Sequence, residues 1–305
     1  MRITFDIGGT RIRAARSPSP GVAEPFGDWP TPRTDFAALV ARLSDALHAA
    51  GGTAAALSIA GVFDPVSGRA RVANIPCIDG RTLQDDLAAR LGVPVRVAND
   101  ADCFTLAEAM SGAGQGHRTV FGIILGTGVG GGLVIDGRIH PGFGGAAGEW
   151  GHGPVLRTRS AAAERDIPHW PCGCGQSGCL DTLAGARGLE RLDAHLNGLQ
   201  RTSRAILAAW TAAEGPARRT VDVWLDLVSG PLAMILNVVG AGIVPAGGGL
   251  ANDAGLIEAL DRAVQARVLV PRPGACVVPA RHRVEPGLIG ASYLFADMGG
   301  GDGGG

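Results

Sequence analysis

RITFDIGGTRIRAA, Arg2–Ala15, is the stretch whose reading decides the fold. Arg2–Ile7 alternates apolar and polar side chains and is β-branched, so it predicts a strand. Gly8-Gly9 predicts a tight turn, and Arg11–Ala15 a returning strand. The pattern restarts further on, with a strand at Val120–Leu125, a glycine turn at Gly126–Gly132 and a strand at Leu133–Ile135. The two copies are too short for an ordinary repeat, but one in each half suits a duplicated architecture. After the first copy, Asp35–Ala50 has helical spacing (Phe36, Leu39, Val40, Leu43, Leu47) and stops at Gly51-Gly52. Ala54–Ala60 reads as a buried strand ending in Gly61, Thr82–Leu91 as a short helix, Pro94–Ala98 as a strand and Ala101–Met110 as a helix. After the second copy, Gly142–Cys179 is irregular. Gly188–His195, Ser203–Ala213 and Val221–Val239 read as helices and Ile243–Pro245 as a strand entering Gly247–Gly249. Ala254–Val268 reads as a helix capped by Asn252, Cys276–Val278 as a strand and Gly287–Met298 as a last helix. Alternating strands and helices give the α/β class. The composition shift at Ser111–Gly116 divides the chain into an N-terminal lobe, 1–112, and a C-terminal lobe, 113–298. The glycine-rich tail 299–305 is expected to be disordered.

Composition narrows the function classes. Of 305 residues 46% are apolar and 18% charged, which describes a core-rich globular chain and excludes a disordered one. A net charge of −1 gives no electrostatic case for nucleic acid or an anionic membrane. Every basic residue counted is arginine, which excludes a P-loop lysine, a Schiff-base lysine and a protein-kinase lysine. The opening MRITFDIGG has no apolar signal core, so a cytoplasmic protein is expected. Ser229–Ala251 is uncharged and long enough to span a bilayer, but Pro231, Asn237, Pro245 and three consecutive glycines make a buried helix followed by a buried strand the better reading. Cys172, Cys174 and Cys179 crowd together while Cys77, Cys103 and Cys276 are scattered, a pattern of one metal site and three buried thiols.

Six constellations carry chemistry. Asp6-Ile7-Gly8-Gly9-Thr10 ends a strand in a carboxylate and enters a turn whose backbone N–H groups meet no Cβ; it suits a phosphate, with Mg²⁺ held by Asp6 through water. The apolar strands flanking Gly126-Thr127-Gly128-Val129-Gly130 make that turn a second phosphate cradle, so a nucleotide held in a cleft is expected. Gly248 and Gly249, in the third glycine element, leave room for a flat base. The run Cys172-Gly-Cys174-Gly-Gln-Ser-Gly-Cys179 suits tetrahedral Zn²⁺, with His152 and His169 both open as the fourth ligand; a full set of four makes the zinc structural. In Glu149-Trp150-Gly151-His152, a Glu and a His three residues apart suit neighbouring hydroxyls of a polyol. Asn99-Asp100 stands at a strand end, where α/β clefts open; its plain alternative is a helix N-cap.

Together the motifs DIGGT, NDAD, GTGVGGG with EWGH, and CGCGQSGC, in that order between Asp6 and about Leu294, resemble the ROK family of bacterial sugar kinases and sugar-responsive repressors. The resemblance implies two actin-type (ribonuclease H-like) α/β lobes around a cleft, with a zinc-binding loop. It implies that His152, not His169, joins Cys172, Cys174 and Cys179 on zinc, and that Asp100 is the general base toward a hexose hydroxyl, O6, attacking the γ-phosphorus of ATP. It also implies that Gly61, Asn74, Asn99, Glu149, His152 and Asp181 bind the sugar, while Asp6 with Mg²⁺ and the Gly8–Thr10 and Gly126–Gly130 turns hold the phosphates. The last helix, about 287–298, would pack back on the N-terminal lobe, and a homodimer is carried over from the family. Two residues depart from the family pattern: Arg11 replaces a usual Lys, and Asp181 a usual Glu. No helix-turn-helix precedes Met1, which disfavours the repressor branch. The cysteine loop and Leu183–Leu189 are similar to N-acetylglucosamine kinases, the best guess for substrate. Ala147–His152 and Thr31-Pro32-Arg33 are similar to manno(fructo)kinases, so manno-, fructo- or glucokinase activity is the alternative. A non-catalytic sugar sensor is the alternative of another class, and an actin-like ATPase a weaker third.

Overall fold

The computed structural model describes residues 1–163 and 165–296. The tail 299–305 and the last two residues of the predicted final helix lie outside the described residues. In chain order the elements are β1 (Arg2–Ile7), β2 (Arg11–Ser17), β3 (Glu24–Pro30), α1 (Phe36–Ala50), β4 (Ala54–Ile59), β5 (Val62–Phe63), β6 (Ala70–Arg71), α2 (Leu83–Leu91), β7 (Val95–Asn99) and α3 (Asp100–Ser111). There follow β8 (Thr119–Leu125), β9 (Val129–Ile135), β10 (Arg138–Ile139), α4 (Asp181–Ala184), α5 (Ala186–Asn197), α6 (Ser203–Thr211), α7 (Gly215–Val239), β11 (Val244–Gly247), α8 (Ala254–Gln265), β12 (Val277–Pro279) and α9 (Pro286–Tyr293).

Both main sheets have five strands, ordered β3-β2-β1-β4-β7 and β10-β9-β8-β11-β12. The second order maps onto the first with β8 in the place of β1, so the duplicated strand–glycine turn–strand pattern is a duplicated sheet. Two parallel neighbours follow the first strand in each: β4 and β7 beyond β1, β11 and β12 beyond β8. The chain forms two compact units. One comprises Met1–Gln115, Gly132–Ala147 and the described residues from His282 onward; the other comprises Gly116–Gly131 and Gly148–Arg281. Neither is a continuous stretch of sequence. The first unit takes in Gly132–Ala147, which the expected division at 112/113 leaves out, and α9, which packs on α3, β1 and β4.

Local sequence accounts for most boundaries. Asp35 caps α1 by accepting from Ala38 N–H at 3.0 Å, and Gly51 ends it in the left-handed region at φ 62°. The α1 stripe Phe36, Leu39, Leu43, Leu47 is buried with Ile3, Phe5, Ile7 and Leu57 in the core of the first unit. β3 and the β5–β6 hairpin escape the sequence reading. β3 runs Glu-Pro-Phe-Gly-Asp-Trp-Pro, where two prolines and a glycine mask a strand; it survives because it is an edge strand, which tolerates proline. α7 starts at Gly215 rather than Val221, since Pro216 in its first turn loses no helical hydrogen bond. α8 is capped by Asp253, whose carboxylate accepts from Leu256 N–H at 2.9 Å, and not by Asn252. α7 is long and apolar enough to cross a membrane by length and composition, but Val221, Trp224, Leu227, Val228, Leu232 and Leu236 are buried in the second unit, and the uncharged stretch continues as β11.

One buried ionic network holds α5 to the start of α7. Asp193, with no exposed surface, takes Arg201 Nε and Nη2 at 2.8 and 2.9 Å and the Thr220 hydroxyl at 2.8 Å, while Arg201 Nη1 reaches Glu214 at 2.7 Å. Burial alone would raise the Asp193 carboxyl, but Arg201, Thr220 and Asn197 outweigh it and hold the group below its ordinary range. Arg201→Met leaves that charge buried and unpaired, and is expected to destabilise the protein by about 3–5 kcal/mol at neutral pH in urea unfolding. Because the folded pKa is depressed, the contribution is present above the ordinary carboxylate range and is lost as pH falls through the folded value. The wild type–variant gap therefore narrows in acid; a gap independent of pH removes Asp193 as its source.

Candidate active site

In the first unit, parallel pairing brings chemistry to one edge. β1, β4 and β7 are in register Asp6–Ser58 and Ile59–Asn99, so their carboxyl ends present Asp6, Gly61, Asn99 and Asp100 together. Asn99 caps α3: its Oδ1 accepts from Ala101 and Asp102 N–H at 2.7 and 3.1 Å, and its Nδ2 donates to Gly61 O at 2.7 Å. The cap role thus falls to Asn99 and leaves Asp100 as the first helical residue, half-buried, with Oδ1 2.9 Å from Ala101 N. Gly61 has φ 146°, and a Cβ there would meet Val72 and Arg71 O, so no other residue fits beneath Asn99.

Asp6 accepts from Ser58 Oγ at 3.1 Å, with Arg13 Nη1 at 4.0 Å, and Gly287 of α9 packs against it. Burial raises its carboxyl above the usual range; the Ser58 hydrogen bond opposes that, and the nearby Asp100 charge adds to the rise. Two carboxylates within electrostatic reach of each other, one of them desolvated, suit the oxygen chemistry of Mg²⁺. The Gly8–Thr10 turn is closed by Gly8 N–H on Arg11 O at 2.9 Å and steadied by the Thr31 hydroxyl on Gly8 O at 2.8 Å. Asn74 is exposed and lies over Gly9, its carbonyl held by Arg33 Nε at 2.7 Å. Ser58, Arg13 and Thr31 are the supports that sequence reasoning missed. The signal for Ser58 was present: a lone hydroxyl in the apolar run Ala-Ala-Ala-Leu-Ser-Ile.

In the second unit, Gly126–Gly128 joins β8 to β9, so Val129 and Gly130, expected in the turn, open the strand; the segment Gly126–Gly130 is pinned from several sides. Gly126 O accepts from Ala186 N–H at 2.8 Å, and Trp150 Nε1 donates to Gly130 O at 2.9 Å. Thr127 O accepts from Arg187 N–H at 3.4 Å. Asp181 Oδ1 accepts from Val129 N–H at 2.7 Å. Gly248 crosses the end of β8, close to Leu125 and Gly126, while Gly249 faces open space.

Glu149 and His152 stand beside this turn. His152 Nε2 lies 3.7 Å from Glu149 Oε2, and its Nδ1 3.6 Å from Cys172 Sγ. Burial raises the Glu149 carboxyl; His152 opposes the rise and Asp181 adds to it. His152, Cys172, Cys174 and Cys179 bring one ligand atom each within 4.8 Å of all the others. A tetrahedral zinc with Zn–S of about 2.3 Å and Zn–N of about 2.0 Å places neighbouring ligand atoms about 3.6–3.8 Å apart. Cys174 Sγ–Cys179 Sγ and Cys172 Sγ–His152 Nδ1 both measure 3.6 Å, so the donor set fits zinc. The Gln176 backbone N–H holds the Cys174 thiol down at about 7, whereas burial pushes Cys172 up to about 12. His169 is engaged elsewhere, with its ring over Gly178 and Nε2 2.7 Å from Leu156 O.

Comparison with known proteins places these features in a family. The ROK family profile matches residues 2–298. The chain is 33% identical to an N-acetyl-D-glucosamine kinase of Pasteurella multocida, covering 97% of this chain and 99% of that one. It is 36% identical to one of Pectobacterium atrosepticum, covering 96% and 98%. Among solved structures it is similar to a ROK hexokinase from Thermus thermophilus (TM-score 0.79, 31% identity, covering 97% and 99%). It is also similar to a ROK glucokinase from Streptomyces griseus in complex with glucose and AMPPNP (TM-score 0.74, 27% identity, covering 96% and 98%). On the profile match over residues 2–298 and the full-length similarity to these relatives, the chain belongs to the ROK family.

Proposed function

We propose that the protein is an ATP-dependent hexose kinase that phosphorylates the 6-hydroxyl of a sugar, with N-acetylglucosamine as the preferred substrate. The observation that carries the reading is Asp100, held at the first position of α3 by the Asn99 cap, half-buried and within electrostatic reach of Asp6. The relatives named above support the sugar. Asp100 accepts the proton of the 6-hydroxyl as O6 bonds to the γ-phosphorus; the bond from that phosphorus to the β–γ bridging oxygen breaks and ADP departs. Asn99, Gly61, Asn74, Glu149 and His152 orient the sugar hydroxyls. The Gly8–Thr10 and Gly126–Gly130 turns receive the phosphates on backbone N–H groups other than those of Gly8, Gly126 and Val129, which close and hold the turns; positioning supplies most of the acceleration in this class of reaction. Asp6 would hold Mg²⁺, which neutralises phosphate charge when bound. His152, Cys172, Cys174 and Cys179 would hold zinc, which fixes the loop carrying Glu149.

A coupled ADP-release assay across N-acetylglucosamine, N-acetylmannosamine, N-acetylgalactosamine, glucose, mannose and fructose tests this. The expected result is turnover with a hexose, and kcat/KM for N-acetylglucosamine at least about tenfold above glucose, the discrimination a pocket built for the acetamido group supports. Turnover favouring glucose, mannose or fructose moves the substrate assignment within the family. Sugar binding with no ATP consumption by any hexose makes the protein a sensor.

A further inference from the structure

Asp181 stands where three functional segments meet inside the second unit, and its contacts are directed at backbone. Its Oδ1 accepts from Val129 N–H at 2.7 Å, the length of a charge-assisted hydrogen bond. The carboxylate reaches that amide only because residue 128 is glycine: a Cβ there would collide with Oδ1. Its own N–H donates to Gly151 O at 2.8 Å, in the turn between Glu149 and His152. Its Oδ2 lies 3.9 Å from Cys172 Sγ, and Cys179 precedes it by two residues. One short side chain therefore spans from the Gly126–Gly130 turn to the metal loop. The other bonds that reach the turn from outside, from Ala186 N–H, Arg187 N–H and Trp150 Nε1, hold its carbonyls; Asp181 holds an N–H, that of Val129. A run of glycines has the largest conformational entropy to lose on ordering, so a fixed acceptor where the turn enters β9 matters more there than in a stiffer segment.

The geometry points to Asp181 as a positioning residue for the nucleotide phosphates. It holds the Gly126–Gly130 turn in its receiving shape through Val129 N–H, and it ties that shape to the Cys172–Cys179 loop. This deepens the kinase reading and rests on it, since it takes the turn to be a phosphate cradle. It differs from a role as a direct sugar ligand in what it moves: the loss of Asp181 is felt at ATP, not at the hexose.

The test compares wild type, Asp181→Ala and Asp181→Asn, with hydrogen exchange at the Val129 amide, KM for ATP and for N-acetylglucosamine, and metal content. In Asp181→Ala the Val129 amide is expected to exchange about tenfold faster or more, as expected for an amide that loses a short, fixed acceptor. KM for ATP is expected to rise about tenfold while KM for the sugar stays within about twofold, the signature of lost positioning on one substrate only. Metal content stays at the wild-type value, because Asp181 is not among the four donors. Asp181→Asn keeps an Oδ1 acceptor and is expected to restore most of the Val129 protection and most of the ATP affinity. A rise in sugar KM with ATP KM unchanged overturns the proposal, as does unchanged Val129 exchange in Asp181→Ala. Should Asp181→Ala fail to fold, wild type alone decides: a Val129 amide that exchanges as fast as an unstructured one overturns the assignment. Failure of the kinase reading looks different. There, wild type binds no ATP by calorimetry, while Val129 protection still depends on Asp181.

Discussion

Asp100→Asn is expected to lower kcat by about 10²–10⁴-fold, the usual worth of a positioned general base, while leaving the sugar dissociation constant within about threefold. The substitution is nearly isosteric and retains Oδ1, the atom that accepts from Ala101 N–H, so the first turn of α3 has no reason to unwind. The Asn99 cap, with its bonds to Ala101, Asp102 and Gly61, is untouched. What disappears is the capacity to take a proton. The variant also removes the negative charge that raises the Asp6 carboxyl, so Asp6 moves back toward its ordinary range. That secondary effect sharpens the measurement. A residue acting only as a charge near Asp6 would change the dependence of rate on magnesium and leave the maximal rate at saturating metal nearly intact. A general base loses rate at every metal concentration. Stopped-flow binding of sugar together with steady-state turnover separates the two; loss of sugar affinity with kcat preserved would show that Asp100 is a binding group.

The sequence was informative wherever function depends on backbone shape and side-chain type at short range. Gly8-Gly9, the Gly126–Gly130 turn, the Cys172–Cys179 run and the Asn99-Asp100 strand end are all local, and each declares itself through spacing. The duplicated sheet was legible for the same reason: a strand, a glycine turn and a strand recur with the same chemistry. What the sequence hid is long-range. Ser58 supports Asp6 only because parallel pairing sets β1 beside β4 in that register. The resemblance implied that the last helix returns to the N-terminal lobe, but not the packing of its Gly287 against Asp6, a contact across most of the chain. β3 was hidden by its prolines, which only an edge position tolerates. Asp181 was expected at the sugar, as the resemblance implies; the bond of its carboxylate to Val129 N–H depends on a contact across 52 residues that no local pattern carries.

Cys174→Ser is expected to remove zinc and stability together. Cys174 is exposed and Cys179 buried, and the loop between them is a short glycine-containing wrap closed by Cys172 N–H on Gln176 O at 2.7 Å and Gly175 N–H on Cys172 O at 3.0 Å. Such a segment has short wraps and few regular hydrogen bonds, so a metal held by His152, Cys172, Cys174 and Cys179 would supply much of its order. Losing one of four ligands is expected to cost about 4 kcal/mol or more, the range of effects associated with a missing metal. On a chain of this size that lowers the thermal midpoint by roughly 6 °C or more. Metal analysis of the purified protein should fall from about one zinc per chain to near none, the stoichiometry of a closed four-ligand structural site. His169→Ala is the matched control: its ring nitrogen bonds Leu156 O rather than the cluster, so its zinc content is expected to equal wild type. Zinc retained in Cys174→Ser, or lost in His169→Ala, overturns the ligand set. The kinetic consequences also separate this variant from Asp181→Ala. Asp181→Ala keeps its zinc and shifts KM for ATP alone. Cys174→Ser releases the loop at both of its attachments, His152 beside Glu149 on one side and Asp181 beside Val129 on the other, so KM rises for sugar and for ATP alike. A metal-free variant that loses only stability, with both KM values unchanged, would confine zinc to holding the loop and deny it any part in shaping the two binding surfaces.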